Sequence, residues 1–424
     1  MPLKILINGG GIAGPALANF LLRTNQRYDI TVVERSPIWR TGGTQIDLKA
    51  QGTPLMRKLG LIDAVREKSI HETHITLVDT NGRTWASFSV NKPGEGLKAI
   101  TSEFELMRAD LVSVLYNGSV QRAKTLSGHG QASLQYLLGK HAVELTQTGD
   151  KVLATFSDGS SDNYDLVVGA DGQSSLTRRL AFGAEAGPRS PQKEVGFTVA
   201  YFNIPKAKWE IGNTEYKHFV QIGPKVISFR CGHKDFTQVM LSVPTTEAMR
   251  EAARLPIEDQ KDLWAGMFKG LGWESERVLA AMRTADDFYM TTIAQVKMDT
   301  WHKGRVVLLG DAGYCPSVAT GLGTTLSLVG AYVLAGELAR NGDDVATALA
   351  CYEKELRPFV EEAQILIRMP ISISFMGSRL GLVICYFVAA FLSMIKIDKL
   401  TSAFSGPVKE TWGLPDYPEL DLEA

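Results

Sequence analysis

The chain has 424 residues, 45% hydrophobic and 21% charged, with a formal net charge of -1 from 45 basic and 46 acidic residues. That length exceeds one compact core and implies two or three domains. The balance of charge favours neither nucleic acid nor an anionic membrane.

Leu3-Lys4-Ile5-Leu6-Ile7-Asn8 reads as a short strand, and Gly9-Gly10-Gly11-Ile12-Ala13-Gly14 follows it directly. This is G-x-G-x-x-G, with a helix expected over 15–22 and a second strand over 30–34 that ends at Glu34. Glycine at Gly9, Gly11 and Gly14 permits a tight turn, close approach to a pyrophosphate and close helix–strand packing. Glu34 stands where a carboxylate accepts hydrogen bonds from a ribose 2′-OH and would repel a 2′-phosphate. Strand, helix, second strand and acid together predict a bound dinucleotide carrying an adenosine. The alternative is a turn that serves packing alone.

A polar loop with Gly42-Gly43 comes next, bearing Arg40 and Asp47 as candidate ligand contacts; a surface hairpin turn is the alternative. A helix is expected over 51–67, then a hairpin of 74–78 and 83–90 across Asp79-Thr80-Asn81-Gly82. His71 and His74 flank its first strand without a third ligand, so no metal is assigned there. A helix follows from 105 to 116, with Arg108 near its start and within reach of a phosphate or ribose. Residues 134–168 read as a strand-rich meander (142–147, 152–157, 164–168) that ends in Gly169-Ala170-Asp171-Gly172.

Strands over 195–202, 216–221, 226–230 and 237–243 predict a separate inserted sheet, with Arg230 and Phe219 as candidate substrate contacts. A helical region is expected over 257–285. Arg305-Val306-Val307-Leu308-Leu309 is apolar without alternation, as in a strand covered on both faces, and it delivers Gly310-Asp311-Ala312-Gly313-Tyr314-Cys315-Pro316. Asp311 then stands at a strand's carboxyl end, where open α/β sheets bind ligands. Gly321-Leu322-Gly323-Thr324-Thr325 opens a helix over 326–338, whose free N–H groups favour negative charge. A carboxylate that grips a polyol beside such a helix start suits a flavin. A further helix over 346–368 is ended by Pro370. The uncharged run 381–395 makes a helix of about 22 Å, short of the ~30 Å hydrocarbon core. It reads as a helix packed over the substrate pocket or one lying at a membrane surface. Cys231, Cys315, Cys351 and Cys385 are scattered, which argues against disulfides and zinc and fits a reducing, cytoplasmic setting. A strand beginning at Leu3 leaves no room for a signal peptide.

Gly9-x-Gly11-x-x-Gly14 with Glu34-Arg35, then Asp171-Gly172, then Gly310-Asp311 with Pro316 and Gly321-x-Gly323, resemble the class A flavin-dependent monooxygenases of the p-hydroxybenzoate-hydroxylase-like fold. The likeness spans residues 3–340, and 42–48 is similar to tetracycline-inactivating and other secondary-metabolite oxygenases. The resemblance implies an α/β fold with a Rossmann-like FAD-binding domain, an inserted, mainly antiparallel β-sheet substrate domain and C-terminal helices. The expected division is 1–70, 100–182 and 290–345 for FAD, 71–99 and 183–289 for substrate, and 346–424 for the C-terminal helical segment.

By the same resemblance Gly9, Gly11, Ile12, Ala13 and Gly14 would hold the FAD pyrophosphate, and Glu34 the adenosine ribose. Arg35, Asp47 and Arg108 would be further FAD contacts and Asp311 would bind the ribityl chain. Pro316, Gly321, Gly323 and Thr324 would face the flavin ring. Asp171 resembles the motif tied to both FAD and NAD(P)H, and Arg40 would touch the nicotinamide coenzyme. NADPH or NADH would visit transiently and reduce FAD. O2 would then add to form a flavin C4a-hydroperoxide that passes one oxygen to a bulky hydrophobic or aromatic, polyketide-like substrate. No side chain need act as a nucleophile. The alternative of the same fold is a flavin-dependent reductase of a lipophilic substrate without oxygen transfer. A halogenase would need a W-x-W-x-I-P stretch that the sequence lacks, and a plain NAD-binding module leaves the Asp311 block unexplained. Residues 380–396 are the expected site of any peripheral membrane contact.

Overall fold

The structure is a computed structural model and describes residues 2–40, 43–89, 104–127, 133–183, 192–365, 377–396 and 412–422. The chain opens with β1 (Leu3–Asn8), α1 (Ala13–Leu21) and β2 (Tyr28–Glu34), the unit expected of its glycine motif. After β3 (Gln45–Leu48), the single helix expected over 51–67 is two, α2 (Gly52–Lys58) and α3 (Ile62–Glu67). Gly60, at φ 69°, turns the chain between them. The hairpin is β4 (His74–Val78) and β5 (Thr84–Ser89); Val90 lies outside the described residues, as do Thr41 and Gly42 of the earlier loop. The helix expected from 105 begins later. Phe104–Met107 is β6, paired antiparallel with β3, and α4 is Arg108–Ser127. Four buried residues and a partner strand outweigh the helical preference of Glu, Leu and Met.

Strands β7 (Ser133–Leu138), β8 (Ala142–Thr148), β9 (Lys151–Phe156), β10 (Ser161–Tyr164) and β11 (Leu166–Gly169) precede α5 (Leu176–Phe182). The inserted strands are β12 (Gln192–Pro205), β13 (Glu215–Gln221), β14 (Lys225–Arg230) and β15 (Phe236–Pro244). Helix α6 (Glu247–Ala252) follows, and the expected helical region is α7 (Ile257–Phe268) and α8 (Ser275–Thr284), separated at Gly270 and Gly272, both at positive φ. Then come β16 (Tyr289–Val296), absent from the sequence reading, β17 (His302–Lys303), β18 (Val306–Leu308), α9 (Asp311–Tyr314), α10 (Gly323–Asn341), α11 (Val345–Ala363) and α12 (Arg379–Met394). Pro370, expected to end α11, lies outside the described residues.

One sheet has the order β17-β18-β11-β1-β2-β7, parallel except for β17. Its apolar strands are covered by α1 and by α10, which is buried along nearly its whole length. The carboxyl ends of β1, β11 and β18 therefore meet at one edge, around Gly9, Ala170 and Leu309. The second sheet has the order β16-β12-β15-β14-β13-β4-β5. One face packs on α7 and α8 through Phe202, Phe229, Leu241, Trp264, Phe268 and Met282. The alternate residues of its central strands look toward β3 and β6. Helix α12 packs on β5, the edge strand: Ser393 Oγ donates to the Ser87 carbonyl (2.8 Å) and accepts from its N–H (2.9 Å). Tyr386 Oη donates to the Val78 carbonyl at 2.8 Å.

Candidate active site

Gly9 takes φ 133°, and a Cβ there would lie 2.3 Å from the Ala170 carbonyl oxygen. Gly14 is as crowded, since its Cβ would stand 2.1 Å from the Gly9 oxygen. Gly11 differs: an added Cβ would meet only Arg108 Nη2, at 3.4 Å. Two glycines of the motif thus serve packing, and the third opens on a cleft. Helix α1 starts there with no side-chain cap, so the N–H groups of its first turn, with Ile12 and Ala13 among them, have no side-chain acceptor. At the end of β2 the Glu34 carboxylate accepts from the N–H groups of Gly10 and Ser36, each at 2.9 Å, and Arg35 beside it is exposed.

At the β11 junction Asp171 works on the protein. Its oxygens accept from Ser175 Oγ, the Thr177 N–H (2.9 Å) and Thr177 Oγ1 (3.1 Å), which fixes the start of α5. Its carboxylate is therefore a clamp on the start of α5. Arg178, oriented by that helix, donates to the Ala312 carbonyl at 2.7 Å and ties α5 to α9. Asp311 is the first residue of α9, and a Cβ on Gly323 would lie 3.8 Å from its Oδ1. Burial pushes the Asp311 carboxyl above its usual range, opposed by the charge of Arg108 and a hydrogen bond with Cys315. Helix α10 also begins without a side-chain cap, at Gly323 and the buried Thr324. Just before it a Cβ on Gly321 would stand 3.1 Å from Asp47 Oδ2, and Asp47 pairs with Lys49 at 3.7 Å. The Pro316 carbonyl accepts from Gln295 Nε2 at 3.0 Å, and Ser317 next to it takes φ 83°, a strained setting for a residue with a side chain.

Gly11, Asp47, Arg108, Asp311, Gly321 and Gly323 thus line one cleft at the carboxyl edge of the parallel sheet, with Thr324 buried beside it and Gly9 and Gly14 packed against backbone behind it. Arg108, exposed at the start of α4, lies across its middle. Arg40 is exposed nearby, and its charge and that of Arg108 both act on the Tyr289 hydroxyl. The far wall is the second sheet. Tyr289 stacks on Tyr201 at 5.3 Å, and Arg230 projects from β14 over the Tyr216 ring at 4.2 Å. Phe219 lies elsewhere. It is buried against Trp273 in the core under α7 and α8, so the expected substrate contact at Phe219 is corrected. On β13 the side chains alternate, and the cleft side belongs to Tyr216 and His218.

The sequence reading missed the polar group that joins the two walls. Gln238 Oε1 accepts from the Gln45 N–H (2.9 Å) and its Nε2 donates to the Gly43 carbonyl (2.6 Å). Gln45 Nε2 donates to Glu105 Oε2 at 2.6 Å, and Arg230 Nη1 reaches Glu72 (3.2 Å) and Glu105 (3.4 Å). The signal available was a polar residue at every second place of an apolar strand, as with Ser228 and Arg230, or Gln238 and Ser242.

The cleft suits a long, doubly anionic cofactor with a polyol. Two buried helices, α1 and α10, bring uncapped N-termini to it, and the only glycine of the motif without a crowded Cβ faces Arg108. Residues 3–365 match the FAD binding domain family. The chain is 54% identical to the FAD-dependent monooxygenase asL6 of Sarocladium schorii, over 100% of both chains. Among solved structures it is similar to the tetracycline destructase Tet(51), with a TM-score of 0.74 and 26% identity over 96% of this chain and 100% of that one. It also shares the fold of HpxO from Klebsiella pneumoniae, solved with FAD and uric acid (TM-score 0.65, 20% identity, 96% of this chain and 97% of that one).

Proposed function

The chain belongs to the FAD binding domain family and is an FAD-dependent monooxygenase of class A type, and from that premise we propose that it consumes NADPH or NADH and inserts one atom of O2 into a bulky hydrophobic or aromatic, polyketide-like substrate. The observation that carries this reading is the convergence of two uncapped helix N-termini on Asp311 and Arg108, with a wall of Tyr201, Tyr289 and Arg230 opposite. The N–H groups at Gly11, Ile12 and Ala13, with Arg108, would hold the pyrophosphate, and Glu34 would accept from the adenosine ribose. Asp47 and Asp311 would hold the polyol, and Pro316, Gly321, Gly323 and Thr324 would lie against the ring. The start of α10 there favours negative charge. Arg35 would add a contact at the adenosine end and Arg40 one to the nicotinamide. Asp171 would act indirectly, by fixing α5 and through it Arg178 and α9. When bound, the flavin supplies the uptake of two electrons and the activation of O2. The protein orients the substrate and keeps water out.

The outward face of α12 carries Leu380, Phe387, Phe391 and Met394, all exposed, between Arg379 and Lys396. No described helix is long and apolar enough to cross a membrane. This face would rest at a membrane surface, where a lipophilic substrate collects.

Anaerobic bleaching of the flavin band at ~450 nm by NADPH, with and without a tetracycline, tests the reading, since the cofactor carries the chemistry. Bleaching followed by an oxygenated product labelled from isotopic O2 is expected. Acceleration by the drug would mark it as a substrate, and an unchanged rate would direct the search to biosynthetic polyketides. Reduction of substrate without label incorporation would establish the reductase alternative. Protein that takes up no FAD would sink the proposal.

A further inference from the structure

We infer that Glu72 and Glu105 hold one proton between them behind Arg230, and that this pair sets the Arg230 wall of the cleft to receive a substrate oxygen bearing negative charge: an enolate, a phenolate or a carboxylate. This rests on the reading of the cleft as the substrate site. It concerns how that site selects, and it assigns Glu72 and Glu105 as specificity-determining positioning residues.

Glu105 Oε2 on β6 and Glu72 Oε2, just before β4, converge on the same nitrogen, Arg230 Nη1, at 3.4 Å and 3.2 Å. The two side chains are 5% and 1% exposed, whereas that of Arg230 is 23% exposed. The carboxylates therefore lie behind the guanidinium, and the guanidinium looks into the cleft. Among the described residues nothing accepts from Arg230 Nε or Nη2, so the N–H groups of these two nitrogens remain for a ligand. Glu72 Oε1 is buried with no hydrogen-bond partner among the described residues, which is costly for a carboxylate and less so for a carboxyl group that carries a proton.

Two buried carboxylates against one guanidinium leave a surplus negative charge, and Asp47 on β3 adds to it, partly offset by Lys49. Retaining one proton removes that surplus. Burial, then the charge of Glu72, raises Glu105 to about 8, with Arg230 opposing. Burial raises Glu72 as well, again opposed by Arg230. His218, Tyr201 and Cys231, packed on the cluster, stay neutral at that pH. Burial and the Arg230 charge hold His218 down at about 4, and burial raises Tyr201 and Cys231. The Arg230 guanidinium lies 4.2 Å from the centre of the Tyr216 ring. Below about pH 8 the set is one cation, one carboxylate and one carboxyl, net neutral; above it the net charge is negative and an anionic ligand is repelled.

The test uses the full chain loaded with FAD and two probes of equal shape, benzoate and benzamide, titrated by calorimetry from about pH 6.5 to about pH 9.5 in buffers of different ionisation enthalpy. Benzoate stays ionised throughout, so any pH dependence belongs to the protein. Its Kd is expected to rise roughly tenfold per pH unit above about pH 8, with proton uptake on binding in that range. Glu105→Gln, which keeps the shape and the bond to Gln45, should bind benzoate with neither the slope nor the proton uptake. Glu72→Gln is the second variant, with the same expectation should Glu105→Gln fold poorly. Benzamide should bind independently of pH in every form. A flat benzoate profile in the wild type, an unchanged slope in both variants, or no benzoate binding at any pH would overturn the inference. Loss of the flavin reading would show separately, as absence of the yellow band, and calorimetry reads the Arg230 site with or without it.

Discussion

Gly11 and Gly14 stand three places apart in one motif, yet the backbone asks different things of them. At Gly14 a methyl group would collide with the Gly9 carbonyl; at Gly11 it would project toward Arg108 and the cleft. Gly14→Ala should therefore destabilise the FAD-free chain by about 2 kcal/mol or more, as overpacking against backbone does. Gly11→Ala should leave that stability unchanged and weaken FAD binding at least roughly tenfold, because it removes close approach to the pyrophosphate. Thermal melts of the FAD-free forms and FAD titrations followed by flavin fluorescence separate the two; equal losses of stability would refute the distinction. A motif specifies the positions of glycines and not their separate duties. The same limit explains Phe219 and Arg230. Both were candidates on strands of one sheet, and only the alternation of side chains about the mean plane sent one to the core and the other to the cleft.

Among the elements, α10 is the one on which most others rest. It is apolar nearly throughout and packs on α1 and α11, and its far side is closed by the segment 412–422. Tyr417 lies on Gly336, where a Cβ would come within 2.4 Å of the ring, and donates to Glu337 Oε1 at 2.8 Å. Trp412 stacks on Phe359 of α11 at 4.8 Å. Gly336→Ala should cost about 2–3 kcal/mol by displacing that ring, and Tyr417→Ala about 3 kcal/mol by emptying the space. Because both lose one contact, the double variant should be little worse than Tyr417→Ala alone. Denaturant midpoints at constant m-value measure this, and strictly additive losses would show that Tyr417 does not depend on Gly336. Element types were otherwise legible where an apolar period was long. They failed at Phe104–Met107, where a short helical-looking run is held as a strand by β3.

At the scale of the molecule the second sheet is joined to the β3–β6 pair through polar side chains: Gln238 and Arg230 on the sheet, Gln45 and Glu105 on the pair, and Glu72 just before β4. The outer end of the second sheet is covered by α12, which through Ser393 satisfies the backbone of Ser87 on the edge strand β5. What remains outward on α12 is an apolar face between two basic residues. If it rests on a membrane, the FAD-loaded chain should float with vesicles containing phosphatidylserine, less so with purely zwitterionic ones. The double substitution Phe387→Ser and Phe391→Ser should reduce flotation several-fold with the melting temperature unchanged. A chain that stays at the bottom of the gradient with both kinds of vesicle would remove the membrane from its description.

The cofactor-binding half was readable from the sequence because its determinants are local. A strand of unbroken apolar residues, glycines at fixed offsets and an acid at a strand's end are set by backbone sterics and hydrogen bonding within a few residues. The half proposed to hold the substrate was not, because which face of a strand looks where depends on the partner strands and the helices laid across them. Glu72, Glu105 and Arg230 are separated by up to 158 residues, and no spacing rule links them. Only the tertiary fold, which bridges Ile70 to Glu105 and brings β14 to them, sets three charges at one buried point, where the low dielectric would make a shared proton cheaper than a second bare carboxylate.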